Sequence, residues 1–115
     1  MAWRVKEIEK GSSKAVIELE GVVDSTNLEE FFSFVNSVFK QGFDRLVVDM
    51  EYASYLSSGG LSVIVDAYKK ADKLGGKLVV ARATDMVREL FEVAQLEKIL
   101  DFYDTLDEAL EAIEA

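Results

Sequence analysis

The sequence predicts an α/β fold in which a mixed β-sheet of about four to five strands packs against about four helices. Short apolar runs rich in Val, Leu and Ile alternate with longer stretches whose apolar residues recur at helical spacing. An N-terminal segment with alternating apolar and charged residues predicts a hairpin, so that antiparallel and parallel strands share one sheet. The length of 115 residues, without a linker or repeat, predicts a single domain over 1–115.

The N-terminal segment is predicted to form a β-hairpin. Apolar residues alternate with charged ones over 3–8, and a second apolar stretch covers 15–19. Between them, Lys10-Gly11-Ser12-Ser13 has the composition of a turn. Gly21 is predicted to end the second strand.

The first helix is predicted to begin near 24–27. Thr26 and Glu29 have the spacing of a capping box, in which a hydroxyl and a carboxylate satisfy free backbone amides. Phe34 lies off the apolar stripe of this helix, which predicts an exposed ring. The stripe predicted to face the core consists of Leu28, Phe31, Phe32, Val35, Val38 and Phe39.

A central strand and a second helix are predicted next. The nearly continuous apolar run of 45–50 is typical of a strand that is covered on both faces. A polar loop is predicted over 51–58, and the helix follows Gly59-Gly60 and stops at Gly75-Gly76. Its predicted core stripe consists of Leu61, Ile64, Val65, Tyr68 and Ala71.

The C-terminal third continues the alternation of strands and helices. A third helix is predicted to be capped by Thr84 or Asp85, and Thr105 with Glu108 predicts a capping box for the last helix. The predicted strands are 77–81 and 102–103. The predicted core stripes are Met86, Val87, Leu90, Phe91 and Ala94 in the third helix, and Leu106, Ala109, Leu110 and Ile113 in the last.

The composition excludes several classes of chemistry. The chain contains no Cys and no His, so disulfides, zinc fingers, thiol nucleophiles and Ser-His-Asp triads are absent. With 13 basic and 22 acidic residues the net charge is −9, which disfavours nucleic acid and anionic lipid as partners. No apolar signal or membrane-spanning segment is evident, so the expected location is the cytoplasm.

Two hydroxyls stand directly before a glycine pair and a helix, at the type of strand-to-helix junction where α/β proteins bind ligands. Ser57 or Ser58 is suited to cap the helix, because a serine oxygen there accepts a free backbone amide. Alternatively, one of them is a regulated phosphate acceptor. The positive end of the helix would tolerate a phosphate, which adds about −1.5 to −2 charges.

Acidic side chains suggest a further possibility. Asp24, Asp49 and Glu51 could form an acidic metal pocket like that of a response-regulator receiver. The acidic pair and the lysine that complete such a pocket are not evident, so helix capping and solvated loop charge are the simpler interpretation. We therefore expect no metal, no cofactor and no catalytic residue.

Four segments together resemble the STAS domain family of bacterial anti-sigma factor antagonists, and they extend over nearly the whole chain. The family signature of an aromatic residue, Met, Asp, Ser, Ser or Ala, Gly and Leu aligns without a gap with Tyr55-Leu56-Ser57-Ser58-Gly59-Gly60-Leu61. The other matching segments are Gly21-Val22-Val23-Asp24, Val47-Val48-Asp49-Met50, and the C-terminal half from Gly75-Gly76 through 87–91 to 105–110.

The resemblance implies a switch protein rather than an enzyme. Such antagonists bind an anti-sigma factor that is also a serine kinase and thereby release a sigma factor. Phosphorylation of the serine, which corresponds to Ser58 here, ends the interaction, and a serine phosphatase restores it. The implied surroundings of the site are Asp24, Ser25, Ser57, Gly59, Gly60 and Leu61.

This sequence departs from the family signature at two positions. Ser57 replaces the signature Asp, and Gly59 follows the acceptor. Ser57 thereby becomes an alternative phosphate acceptor. The alternative function is a constitutive scaffold or transporter-associated STAS subunit in which Ser58 is only a helix cap.

Overall fold

The computed structural model describes residues 3–114, so Met1, Ala2 and Ala115 of the predicted 1–115 domain lie outside the described residues. Five strands form one mixed sheet in the order β1-β2-β3-β4-β5, and four helices pack on it. The elements in chain order are β1 Trp3–Glu7, β2 Lys14–Val23, α1 Leu28–Lys40, β3 Arg45–Leu56, α2 Ser58–Lys73, β4 Lys77–Ala81, α3 Asp85–Val93, β5 Phe102–Tyr103 and α4 Leu106–Glu114.

The strand directions confirm the predicted combination of a hairpin and parallel crossovers. The first two strands pair antiparallel, with Trp3 opposite Leu19. Each later strand pairs parallel with the one before it, since a helix returns the chain to the same edge of the sheet. The carboxyl ends of β2, β3 and β4 therefore lie at one edge of the sheet.

Both faces of the sheet are covered, as the apolar run of 45–50 predicts. Helices α1, α2 and α3 share one core with the face that carries Leu46, Val48 and Met50. Helix α4 packs on the opposite face, against Val47 and Val79. In the described residues, no helix is both long and apolar enough to cross a membrane.

Strands β2 and β3 are longer than predicted. The segment 51–56 was expected to be a loop, but β3 continues to Leu56 and pairs there with the end of β2. Only Ala53 and Leu56 in this extension are buried, so its sequence lacks the apolar run that marks a covered strand. Gly21 lies within β2 at φ 83°, beside a shift in register, rather than at the strand end.

The apolar stripe of α1 differs from the prediction at two rings. Phe32 is 51% exposed, whereas Phe34 packs against the core with its ring centre 6.3 Å from that of Trp3. The hairpin places Trp3 over this side of the helix, and periodicity within the helix carries no information about that neighbour. Met86 of α3 and Ala94, which follows its last residue, are likewise exposed rather than buried.

The predicted helix caps are partly confirmed. Thr84 caps α3, with its hydroxyl accepting from the amide of Val87 at 3.3 Å. The Thr105 hydroxyl accepts from the amide of Glu108 at 3.1 Å and donates to its carboxylate at 3.0 Å. The capping box of Thr26 is wrong, because α1 begins after Asn27 without a side-chain cap bond.

Candidate functional site

The candidate site lies at the edge of the sheet where β2 and β3 end and α2 begins. Val23 pairs with Leu56 at the last register position of the two strands. Directly beyond it, the amide of Ser57 donates to the carbonyl of Val23 at 2.8 Å. This bond joins the end of β2 to the N-cap of α2 and brings the matching segment at 21–24 beside the family signature at 55–61.

The structure assigns different environments to the two serines. Ser57 is the N-cap of α2, with extended backbone angles, and its hydroxyl accepts from the amide of Gly60 at 3.2 Å. Ser58 is the first residue of the helix and is exposed. Within residues 3–114 its hydroxyl has no hydrogen-bond partner. Of the two, Ser58 therefore presents the free hydroxyl at the positive end of a helix dipole.

The two glycines after Ser58 allow the first turn of α2 to pack closely on its neighbours. A Cβ atom at Gly60 would lie 3.1 Å from Val23 Cγ1 and 3.5 Å from Leu56 Cβ. One at Gly59 would lie 2.7 Å from a terminal methyl of Leu28. A side chain at Gly60 is therefore restricted by core packing, whereas one at Gly59 would require the Leu28 side chain at the start of α1 to shift.

Asp24 belongs to a compact loop directly after β2. Its carboxylate accepts from the amide of Thr26 at 2.9 Å and from the hydroxyl of the same residue. These bonds, the hydroxyl first and then the amide, lower the pKa of Asp24 below its ordinary value. Asn27 closes the loop by accepting from the Asp24 amide at 3.0 Å and donating to the carbonyl of Val22 at 2.9 Å. Ser25 is exposed on this loop.

Asp49 is neither a helix cap nor a solvated loop charge, which corrects the simpler interpretation of this carboxylate. Only 4% of the residue is exposed, and Arg82 donates to both carboxylate oxygens, from Nη2 at 2.6 Å and from Nε at 3.1 Å. A third guanidinium nitrogen lies 3.2 Å from Glu51. The hydrogen bond with Asp49 is the largest cause of the raised pKa of Arg82.

This ion pair uses two of the three acidic residues that were considered for a receiver-like pocket, whereas Asp24 is committed to its own loop. Among the described residues, no group of three or more His, Cys, Asp or Glu side chains is arranged to hold a metal ion. Sequence reasoning missed Arg82. The available signal was its position directly after an apolar strand that neighbours the strand bearing Asp49.

An apolar groove of about 340 Å³ opens beside Ser58, between the first turn of α2 and the exposed side of α3. Met86 and Val93 on its rim are 65% and 78% exposed, and Glu89 is the charged residue in its lining. The lining residues are Tyr55, Leu56, Ser58, Leu61, Met86, Glu89, Leu90, Val93 and Ala94.

Comparison with known proteins supports the resemblance noted in the sequence. BtrV of Bordetella bronchiseptica, whose name places it among anti-sigma factor antagonists, is 34% identical over 76 residues, which span 66% of each chain. The anti-sigma F factor antagonist of Paenibacillus polymyxa is 24% identical over 109 residues, covering 94% of this chain and 93% of that protein.

Solved structures share the fold. The anti-sigma factor antagonist SpoIIAA in its unphosphorylated form superposes with a TM-score of 0.81 at 18% identity, over 98% of this chain and 96% of that one. The family model of the STAS domain matches residues 5–109. This chain belongs to the STAS domain family.

Proposed function

We propose that this protein is an anti-sigma factor antagonist that binds an anti-sigma factor with serine-kinase activity, and that phosphorylation of Ser58 ends the interaction. The observation that carries this proposal is the exposed Ser58 hydroxyl, which has no partner in the described chain and lies at the start of α2. Relatives along most of the chain are named as antagonists, and one structural neighbour is designated by its phosphorylation state.

The start of α2 is suited to carry a phosphate. No acidic side chain lies in the first turn of this helix, so a phosphate on Ser58 would meet free amides and a positive dipole end without a like charge in that turn. The modification adds about −1.5 to −2 charges to the partner-facing surface. It would weaken binding by like-charge repulsion and by the cost of desolvating a dianion in an interface.

The proposed partner surface surrounds this hydroxyl. It includes Asp24 and Ser25 on the loop after β2, and Ser57 and Gly59 at the start of α2, whereas Gly60 and Leu61 of the implied surroundings are buried beneath it. Ser57 is the alternative acceptor, but its oxygen already caps the helix, and phosphorylation there would disturb the bond to the Gly60 amide. We therefore propose Ser58 as the acceptor.

The remaining parts of the proposal follow the family. We propose one cytoplasmic domain over 1–115 that acts by binding rather than by catalysis, without a metal or cofactor, and whose phosphate is removed by a serine phosphatase. The net charge of −9 argues against nucleic acid and against anionic membrane surfaces as partners.

The test is the intact mass of the protein purified from its native host, with peptide mapping of residues 51–69. We expect one phosphate on Ser58, and its loss in Ser58→Ala but not in Ser57→Ala. The anti-sigma factor that copurifies is then identified and purified. Ser58→Ala should bind this factor like the unmodified protein, and Ser58→Asp more weakly.

Three outcomes would change the assignment. A phosphate on Ser57 would move the acceptor by one residue. Equal binding by Ser58→Ala and Ser58→Asp would contradict the charge mechanism. No phosphate under any growth condition would favour the constitutive scaffold or transporter-associated subunit, in which Ser58 has no regulatory role.

A further inference from the structure

The end of β3 that leads into Ser57 and Ser58 has a strand neighbour on one side only. Pairing between β3 and β4 ends where Asp49 meets Ala81, whereas β3 continues to Leu56. On its other side the extension pairs with β2, and that register shifts between Glu18 and Glu20 and again after Gly21. The segment that positions Ser58 is therefore held by an irregular ladder along one edge.

Arg82 connects the end of β4 to this extension through its side chain. Its guanidinium binds both oxygens of Asp49 and lies 3.2 Å from the Glu51 carboxylate, so it contacts β3 on both sides of Met50. The Asp49 carboxylate also accepts from the Glu51 amide at 3.2 Å. Backbone pairing between β3 and β4 ends at Asp49, and from there these side-chain contacts link β3 to the residue that follows β4.

The backbone of Arg82 has a conformation that is unusual for a residue with a side chain. Its φ is 56°, in the left-handed region that Gly adopts readily and other residues rarely adopt. Its amide donates to the carbonyl of Tyr103 at 2.9 Å, which anchors it to β5. Arg82 thus adopts a backbone conformation that would suit glycine better, and its guanidinium binds the nearly buried carboxylate of Asp49.

We infer that Arg82 is a positioning residue: its ion pair with Asp49 and Glu51 orders the end of β3 and thereby sets the position of Ser58 for the partner kinase. The ordering of β3 follows from the contacts alone. The consequence for Ser58 rests on the proposed function.

Three variants separate positioning from general stability. Arg82→Gly removes the guanidinium and suits the left-handed backbone, but it leaves Asp49 buried without its partner. Adding Asp49→Asn to Arg82→Gly removes that unpaired charge while keeping an amide oxygen that can accept from Glu51. The matched control is Lys14→Ala, which breaks the pair of Lys14 with Glu114 at the other end of the sheet, where Lys14 lies opposite Arg45 at the start of β3.

Amide hydrogen exchange tests the ordering of the strand. We expect Arg82→Gly to unfold at lower urea concentration and the double variant to recover much of this loss. In both variants, exchange of the amides of 51–57 should rise by about tenfold, because both lose the charge-assisted contacts of Arg82 that hold this segment. The double variant should leave the amides of 14–16, at the start of β2, at their original rates, and Lys14→Ala should leave 51–57 unchanged. Original exchange rates over 51–57 in the double variant would overturn the inference.

Phosphorylation by the purified kinase tests the consequence for Ser58. In the double variant kcat/KM for Ser58 should fall by about tenfold although Ser58 itself is unchanged. An unchanged kcat/KM would show that the ion pair does not position the acceptor. If the original protein is not a substrate, the proposed function is wrong, and the exchange measurement then decides the ordering role of Arg82 by itself.

Discussion

Two neighbouring hydroxyls at the start of α2 have different physical roles. Ser57 accepts from the Gly60 amide and satisfies one of the free donors of the helix. Ser58 is exposed and needs no partner within the fold. Because cap and candidate acceptor are separate residues, a phosphate on Ser58 can change the surface without removing the bond that begins the helix.

The loop after β2 makes a prediction about pH. The pKa of Asp24 is lowered in the folded protein, so its bonds stabilise the fold at neutral pH, and this contribution is lost as the pH falls through the lowered pKa. Thr26→Val removes the hydroxyl donor and should raise the pKa of Asp24 toward its ordinary value. A carboxyl-carbon NMR titration measures this shift. Ser25→Ala is the control, and an unchanged pKa in Thr26→Val would contradict the assigned cause.

Gly76 tolerates no side chain. A Cβ atom there would lie 1.9 Å from the carbonyl oxygen of Asp44, which is held in place by the amide of Lys77 at 2.9 Å. We expect Gly76→Ala to lower the free energy of unfolding by about 3 kcal/mol or more. In the control Gly75→Ala the added Cβ atom meets open space, but the residue has a φ of 82°. This variant should lower the free energy of unfolding by about 1–2 kcal/mol. Urea denaturation compares them, and equal losses would contradict the steric explanation.

At the scale of elements, α2 begins with a serine cap, ends with lysines in its last turn, and carries a buried face between α1 and the sheet. This places its N-terminus, and with it Ser58, at the edge where β2 and β3 end. Neighbouring α3 exposes Met86 and Val93, so the groove beside Ser58 is formed by two elements that are distant in sequence.

The cap of α2 can be measured directly. Ser57→Ala should lower the free energy of unfolding by about 1 kcal/mol, because the Gly60 amide loses its acceptor. Ser58→Ala should change it by less than about 0.5 kcal/mol, since this hydroxyl is exposed and has no partner in the described chain. Chemical denaturation of the two variants distinguishes the roles. A larger loss in Ser58→Ala would mean that Ser58 is the cap.

At the scale of the whole molecule, the net charge of −9 is carried by a body of 34 × 26 × 24 Å. Raising the ionic strength from about 0.01 M to about 0.1 M shortens the Debye length from about 30 Å to about 10 Å, less than half the smallest dimension. Repulsion across the molecule should then weaken. The melting temperature should rise by about 4 °C for each ~1 kcal/mol that the free energy of unfolding increases. Calorimetry measures the melting temperature at each ionic strength. A decrease with added salt would show that attraction between opposite charges outweighs the repulsion.

Long periodic segments made the architecture predictable. The apolar run of 45–50 and most positions in the helix stripes indicate burial by their spacing, and Gly75-Gly76 marks where α2 ends. The order of the elements along the chain, the parallel crossovers and the position of Ser58 at a helix start follow from these local patterns, whereas the order of the strands in the sheet comes from the structure. The family signature around Ser58 needed no tertiary information either, because its residues are contiguous.

What the sequence determined by itself was therefore the order and type of the elements and the segment that contains the candidate acceptor. The tertiary structure alone decided the environments that depend on distant partners: Phe34 under Trp3 rather than Phe32, β3 continuing to Leu56 beside β2, and Asp49 buried against Arg82. Periodicity describes one element at a time, whereas these contacts join residues separated by tens of positions. Whether a carboxylate is solvated or paired depends on which side chain the neighbouring strand places beside it.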